Sequence, residues 1–171
     1  DHLRCVTLRL AADIRVEHDA RVLVRQDLRR GATADLALRH LRDELLERMQ
    51  AIPGVRSATL SAVTPIEGPG AARMVTVDGF VEKPDDRRFI PLNWVAPQYF
   101  ETFGTPLHSG RDFRRADDGG PRVAIVNDAF ARYYFAGRTP IGGHFRFDGI
   151  ERVYEIVGVV GDAKFQDGRR A

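Results

Sequence analysis

The stretch VAIVNDAFARYYF, residues 123–135, sets a strand directly against a helix. Residues 122–126 read as a strand. Phe130, Tyr133 and Tyr134 fall at helical spacing and predict a helix over 127–135. Asn127 stands where a side-chain oxygen can take up a free N–H of the helix start. Asp128 follows in the first turn, where the helix dipole favours an acid.

The same reading extends in both directions. Downstream, 145–147 predicts a short strand and 153–160 a longer one. Upstream, Tyr99, Phe100 and Phe103 share helical spacing and predict a short helix over 97–103. Residues 89–95 and 73–81 read as strands, joined by a charged turn at 82–88 around Pro84, and 64–72 reads as a loop rich in Gly and Pro. Residues 55–63 predict a strand. It follows a helix over 33–52, with Thr33 as a candidate N-cap and Pro53-Gly54 as the stop. Leu38, Leu41, Leu45, Met49 and Ile52 recur every three or four residues, which puts them on one helix face. Residues 3–10 alternate roughly and predict a strand. In 13–30, Val22-Leu23-Val24 fits a second strand, while 25–30 also fits helix.

This order predicts an α+β fold with helices on one sheet face. The Gly and Pro residues between 104 and 143 suggest a compact second subdomain. The chain has 171 residues, 43% hydrophobic and 29% charged, enough to bury a core without metal or disulfide staples. The net charge is +2, and all basic residues but Lys83 and Lys164 are arginines. The pairs Arg29-Arg30, Arg87-Arg88 and Arg114-Arg115 lie near acids and are scattered along the chain, unlike a nucleic-acid groove. Cys5 is the only cysteine, so neither an internal disulfide nor a cysteine zinc cage can form. No apolar run approaches the roughly 20 residues that span a bilayer.

Catalytic chemistry finds little to stand on. There is no Gly-x-Ser-x-Gly elbow, and Cys5 reads as packed in a strand. Residues 117–120 lack the alternating carboxylates of a calcium loop. In 158–164 the lysine follows the second glycine by three residues, and no Ser or Thr comes next, so it is no phosphate loop. Its glycines fit a strand that another backbone approaches closely. Glu67, Asp78, Asp112 and Asp128 could be paired for acid–base work, but each reads as a solvated or capping residue. No catalytic residue, cofactor or metal is expected. The aromatics Tyr99, Phe100, Phe103, Tyr133 and Tyr134 are the remaining candidates, either as core or as a surface that contacts a partner.

Taken in order, four motifs carry a resemblance. They are PQYFETFG (97–104) followed by PLHSGRDF (106–113), VAIVNDAFARYYF (123–135) followed by PIG (140–142), YEIVGVVGD (154–162), and, upstream, ELLERMQAIPGV (44–55). The set is similar to the MacB-like periplasmic core domain of MacB/FtsX-type ABC transporter permeases. In bottom-up terms, Gly104 and Gly110 end a helix and turn the chain, Asn127 caps, and 140–142 turns back to the sheet.

The resemblance implies an α+β domain: a porter-like, βαβ-containing sheet with helices on one face over residues 1–96, and a smaller mixed α/β, Sabre-like insert over 97–171. It implies a non-catalytic domain on the extracytoplasmic side of the bacterial cytoplasmic membrane. Such a domain couples ATP hydrolysis in a cytoplasmic subunit to a periplasmic partner or an exported substrate, in a permease dimer. Family domains continue with a further strand–helix–strand unit, so the piece is expected to be truncated, with an exposed sheet edge. Three departures stand out: a long 13–30 link, Gly143 where relatives carry lysine, and the missing unit. The competing reading is a soluble peptide- or lipid-binding α/β protein.

Overall fold

The computed structural model describes residues 4–9, 22–25, 32–62, 71–81, 89–117 and 120–162, with backbone alone for 4–9, 22–25 and 32–39. Val63, Glu67, the turn at 82–88, Lys83 and Lys164 lie outside the described residues, as does the Cys5 side chain.

Among the described residues, nine strands and three α-helices follow in the order β1 (Arg4–Arg9), β2 (Val22–Arg25), α1 (Ala32–Gln50), β3 (Val55–Ser61), β4 (Ala71–Val77), β5 (Phe89–Val95), α2 (Tyr99–Phe103), β6 (Leu107–Gly110), β7 (Val123–Asn127), α3 (Asp128–Phe135), β8 (His144–Phe147) and β9 (Val153–Val160). The α+β class is as expected. Strands β5 and β9 begin and end where their apolar runs do. Val22 to Arg25 takes the strand form, and α1 starts at Ala32, which puts Thr33 inside the helix.

All strands belong to one sheet, ordered β1-β3-β5-β2-β7-β9-β8-β4, with an additional β4–β5 pairing and β6 against β9. The ladder therefore closes: β5, β2, β7, β9, β8 and β4 form a six-strand ring. Strands β1 and β3 extend from it beside β5. The pairs β1–β3, β2–β5 and β7–β9 are parallel. With α1 between them, β1 and β3 make the expected βαβ unit. The ladders β2–β7 and β4–β8 both join segments on either side of residue 97.

Strand β7 is buried on both faces, and its alternation divides the core. Ala124 and Val126 face a cluster with Ile90, Leu92, Phe130, Tyr134, Phe145 and Ile156. Val123 and Ile125 face a second cluster with Tyr99, Phe100, Phe113 and Val160. Helix α3 thus packs on one side of β7 and α2 on the other.

The capping expectations for Asn127 and Gly104 hold, whereas Gly110 ends strand β6 rather than a helix. The Asn127 side chain accepts a hydrogen bond from the Phe130 N–H at 3.1 Å. Gly104 closes α2 at φ 66°, its N–H reaching the Glu101 carbonyl at 3.2 Å. The turn at 140–142 is tied by the Gly143 N–H to Pro140 O and the Gly142 N–H to Ile156 O, both 2.9 Å.

The expected apolar face of α1 is corrected. Leu41, Leu45 and Ile52 are 61%, 38% and 52% exposed, whereas Leu46 and Arg42 are only 9% and 7% exposed. The helix rests on β3 through Leu46 and Met49, against Ala58 and Leu60. Adjacent Leu45 and Leu46 supply two neighbouring stripes, and β3 takes the second.

Strand β6 was not expected. It crosses β9 so closely that a Cβ on Gly158 would sit 2.5 Å from the Arg111 carbonyl oxygen. On Gly110, at φ +76°, a Cβ would fall on the Val157 carbonyl. Both obstacles are backbone, so they cannot swing aside. Gly158→Ala is expected to cost about 2–3 kcal/mol, measured as a lower urea midpoint at unchanged slope. Gly120→Ala, whose Cβ would have 3.6 Å of clearance at its nearest contact, is expected to leave the midpoint nearly unchanged.

Candidate functional site

The five candidate aromatics divide between core and surface. Tyr99, Phe100 and Tyr134 are 1%, 4% and 3% exposed, so they are core side chains without access to a partner. Tyr99 meets Phe100 edge-on at 5.5 Å and Phe103 at 4.8 Å. Tyr134 packs on Phe130 at 4.5 Å and takes the edge of Phe80 at 5.0 Å. Phe103 and Tyr133 are half-buried. Tyr133 lies 5.5 Å from Phe80, whose chain neighbour Val81 is 86% exposed. The structure does not bring the five together: Tyr99, Phe100 and Phe103 belong to the α2 cluster, Tyr133 and Tyr134 to the α3 cluster.

The acids are engaged in local structure. Asp112 accepts hydrogen bonds from the Phe113 N–H at 2.7 Å and the Gln98 N–H at 3.2 Å. The second of these holds Gln98 in its left-handed conformation ahead of α2. Asp78 pairs loosely with Arg146 at 3.5 Å, and Asp128 meets His108 at 2.9 Å.

Sequence reasoning missed two acid clusters. Asp162, at the exit of β9, accepts from Asn127 Nδ2 at 2.7 Å, from the Ala129 N–H at 2.9 Å and from Arg132 at 2.8 Å. It thereby completes the N-terminal cap of α3 from 35 residues away. Asp117 receives a two-pronged grip from Arg111, both bonds 2.9 Å, together with the Arg114 N–H. These bonds, first among the causes and against the opposing effect of burial, raise the Arg111 pKa above its ordinary value. The stabilisation from that shift is fully present below the ordinary arginine pKa and is lost only as pH rises beyond it. The Gly-Arg-x-Phe motif at 110–113 was the available signal for this cluster, and the terminal Asp of the 154–162 motif for the other.

Among the described residues, no group of three or more His, Cys, Asp or Glu side chains could hold a metal ion. No helix among them is long and apolar enough to cross a membrane. The chemistry on view is hydrogen bonding that shapes loops and helix ends.

Removing the Asp162 carboxylate takes away the acceptor of three hydrogen bonds, while removing Arg132 takes away the donor of one of them, in an exposed ion pair. Asp162→Ala is therefore expected to cost about 1–2 kcal/mol and Arg132→Ala under about 1 kcal/mol, ranked by urea denaturation. Tyr99→Ala is expected to cost roughly 3–5 kcal/mol, which calorimetry would register as a large fall in Tm.

Comparison with known proteins places the chain in a family. The periplasmic region of MacB from Actinobacillus actinomycetemcomitans shares 18% identity at a TM-score of 0.50, over 85% of this chain and 61% of that one. The extracellular domain of the noncanonic ABC-type transporter YknZ from Gram-positive bacteria shares 20% identity at a TM-score of 0.46, over 74% and 58%. The chain thus spans less than two thirds of these structures. No curated protein sequence matches it. The family described as the MacB-like periplasmic core domain matches residues 9–170. The chain belongs to that family, the non-catalytic extracytoplasmic domains of MacB/FtsX-type ABC transporter permeases.

Proposed function

We propose that this domain couples ATP hydrolysis, performed by a cytoplasmic subunit or domain of the same transporter, to the grip on a periplasmic partner or the expulsion of a substrate. The observation that carries the reading is the family match over residues 9–170. The engagement of Asp112, Asp117 and Asp162 in helix caps and loop ties supports it, because those carboxylates are committed to structure. The segment stands outside the bacterial cytoplasmic membrane, in a permease that works as a dimer. A porter-like part over 1–96 and a Sabre-like part over 97–171 describe its two segments, although strand pairing runs across the boundary. Contact with the partner falls to the half-buried aromatics Phe103 and Tyr133 rather than to the three core rings. The family match favours this over a soluble peptide- or lipid-binding protein.

The test is made in the complete transporter. Tyr133→Ala combined with Phe103→Ala is expected to weaken co-purification of the extracytoplasmic partner about tenfold, with basal ATP hydrolysis unchanged. Partner recovery at the wild-type level would overturn the contact role. ATP turnover by the 171-residue chain alone would overturn the coupling role itself.

A further inference from the structure

The βαβ unit of β1, α1 and β3 is joined to the ring unlike any two strands within the ring. Between β3 and β5 there is, among the described residues, a single paired position, Ser61 with Val95. It is flanked by the Ala62 N–H to Trp94 O and the Ala96 N–H to Leu60 O, both 2.8 Å.

Beyond that bridge, the contact is lined by hydroxyls. Ser57 Oγ and Thr102 Oγ1 are 2.6 Å apart, and Thr59 Oγ1 donates to Pro97 O at 3.1 Å. The Ser61 hydroxyl is buried without a hydrogen-bond partner among the described residues. Among the described side chains, apolar contact across the junction is slight: Leu46, Ala58, Met49, Val55 and Leu60 pack within the unit, and from the ring side Ala96 joins their cluster. Among the described residues, two exposed ties also cross the junction, Gln50 to Gln98 at 2.5 Å and Arg115 to Glu47 at 2.8 Å.

We infer that the β1–α1–β3 unit is hinged on the Ser61–Val95 bridge and slides against the ring as a rigid body. Interdigitated apolar side chains resist sliding, because each displacement opens voids. Hydroxyls facing carbonyls and other hydroxyls trade one hydrogen bond for another as they shift. A polar seam beside a single-bridge ladder is the construction of a shear joint. This goes beyond the transport reading and is measured without a transporter.

The test is amide hydrogen exchange by NMR on the 171-residue chain. The Ala96 residue is only 3% exposed, so fast exchange at its N–H requires opening. The Ala62 and Ala96 amides are expected to exchange at least about tenfold faster than those of Glu155 and Ile156, which donate at 2.9 and 2.8 Å within the ring. A disulfide across the seam, from Ser57→Cys with Thr102→Cys, is expected to slow the two junction amides to the ring's rate, with reductant restoring the difference. Ser57→Val with Thr102→Val tests the polar seam without a cross-link and is expected to slow them in the same direction. Junction amides as slow as the ring's in the unaltered chain would overturn the hinge. So would junction amides that stay fast in the folded, oxidised variant. Should the cysteine pair fail to fold, the comparison within the unaltered chain decides.

Discussion

Strand β9 has to serve three neighbours. One edge is taken along residues 155–160 by parallel β7, and the other is shared between β8 at its start and β6 at its end. The β6 crossing brings the Arg111 carbonyl over position 158, and the absence of a side chain there lets the backbones meet. From this junction the rest follows. The Arg111–Asp117 grip shapes the loop after β6, Phe113 enters the α2 cluster, and Asp162 is delivered to the start of α3. Two glycines and two carboxylates thus organise a region that appears in sequence only as a series of turns.

The same arrangement explains what the acids of the motifs are used for. A general base needs a carboxylate whose lone pairs face a substrate. Here the Asp162 oxygens are taken up by Asn127, Ala129 and Arg132, and the Asp112 oxygens by Gln98 and Phe113. Membership of a family of non-catalytic permease domains is consistent with that use of acids. The resemblance read from residues 44–55 and 97–162 and the matched family agree.

What could be read in advance divides by range. Strands β5 and β9 are apolar runs bounded by polar or turn residues, and α3 announces itself through Asn127 and its aromatic spacing, so local pattern sufficed. The order of blocks also revealed the family. Strand β6 escaped because LHSG has no alternation of its own; it is a strand only because β9 lies beside it. The buried face of α1 escaped because Leu45 and Leu46 permit two rotations, and the choice belongs to β3. Of the five aromatics, spacing identified all as lying on helices but could not separate Tyr134, buried against Phe130, from half-buried Tyr133, since Phe80 from a distant strand's turn meets both.

Strand β2 lies in the chain between β1 and α1, yet in space it sits inside the ring between β5 and β7. The polypeptide is threaded so that neither the ring nor the βαβ unit is contiguous. A chimera that exchanged the N-terminal unit alone for a relative's would remove one of the ring's six staves with it. Swaps between permeases therefore have to carry the whole interlaced block, or supply the borrowed β2 with a face that still matches its new neighbours.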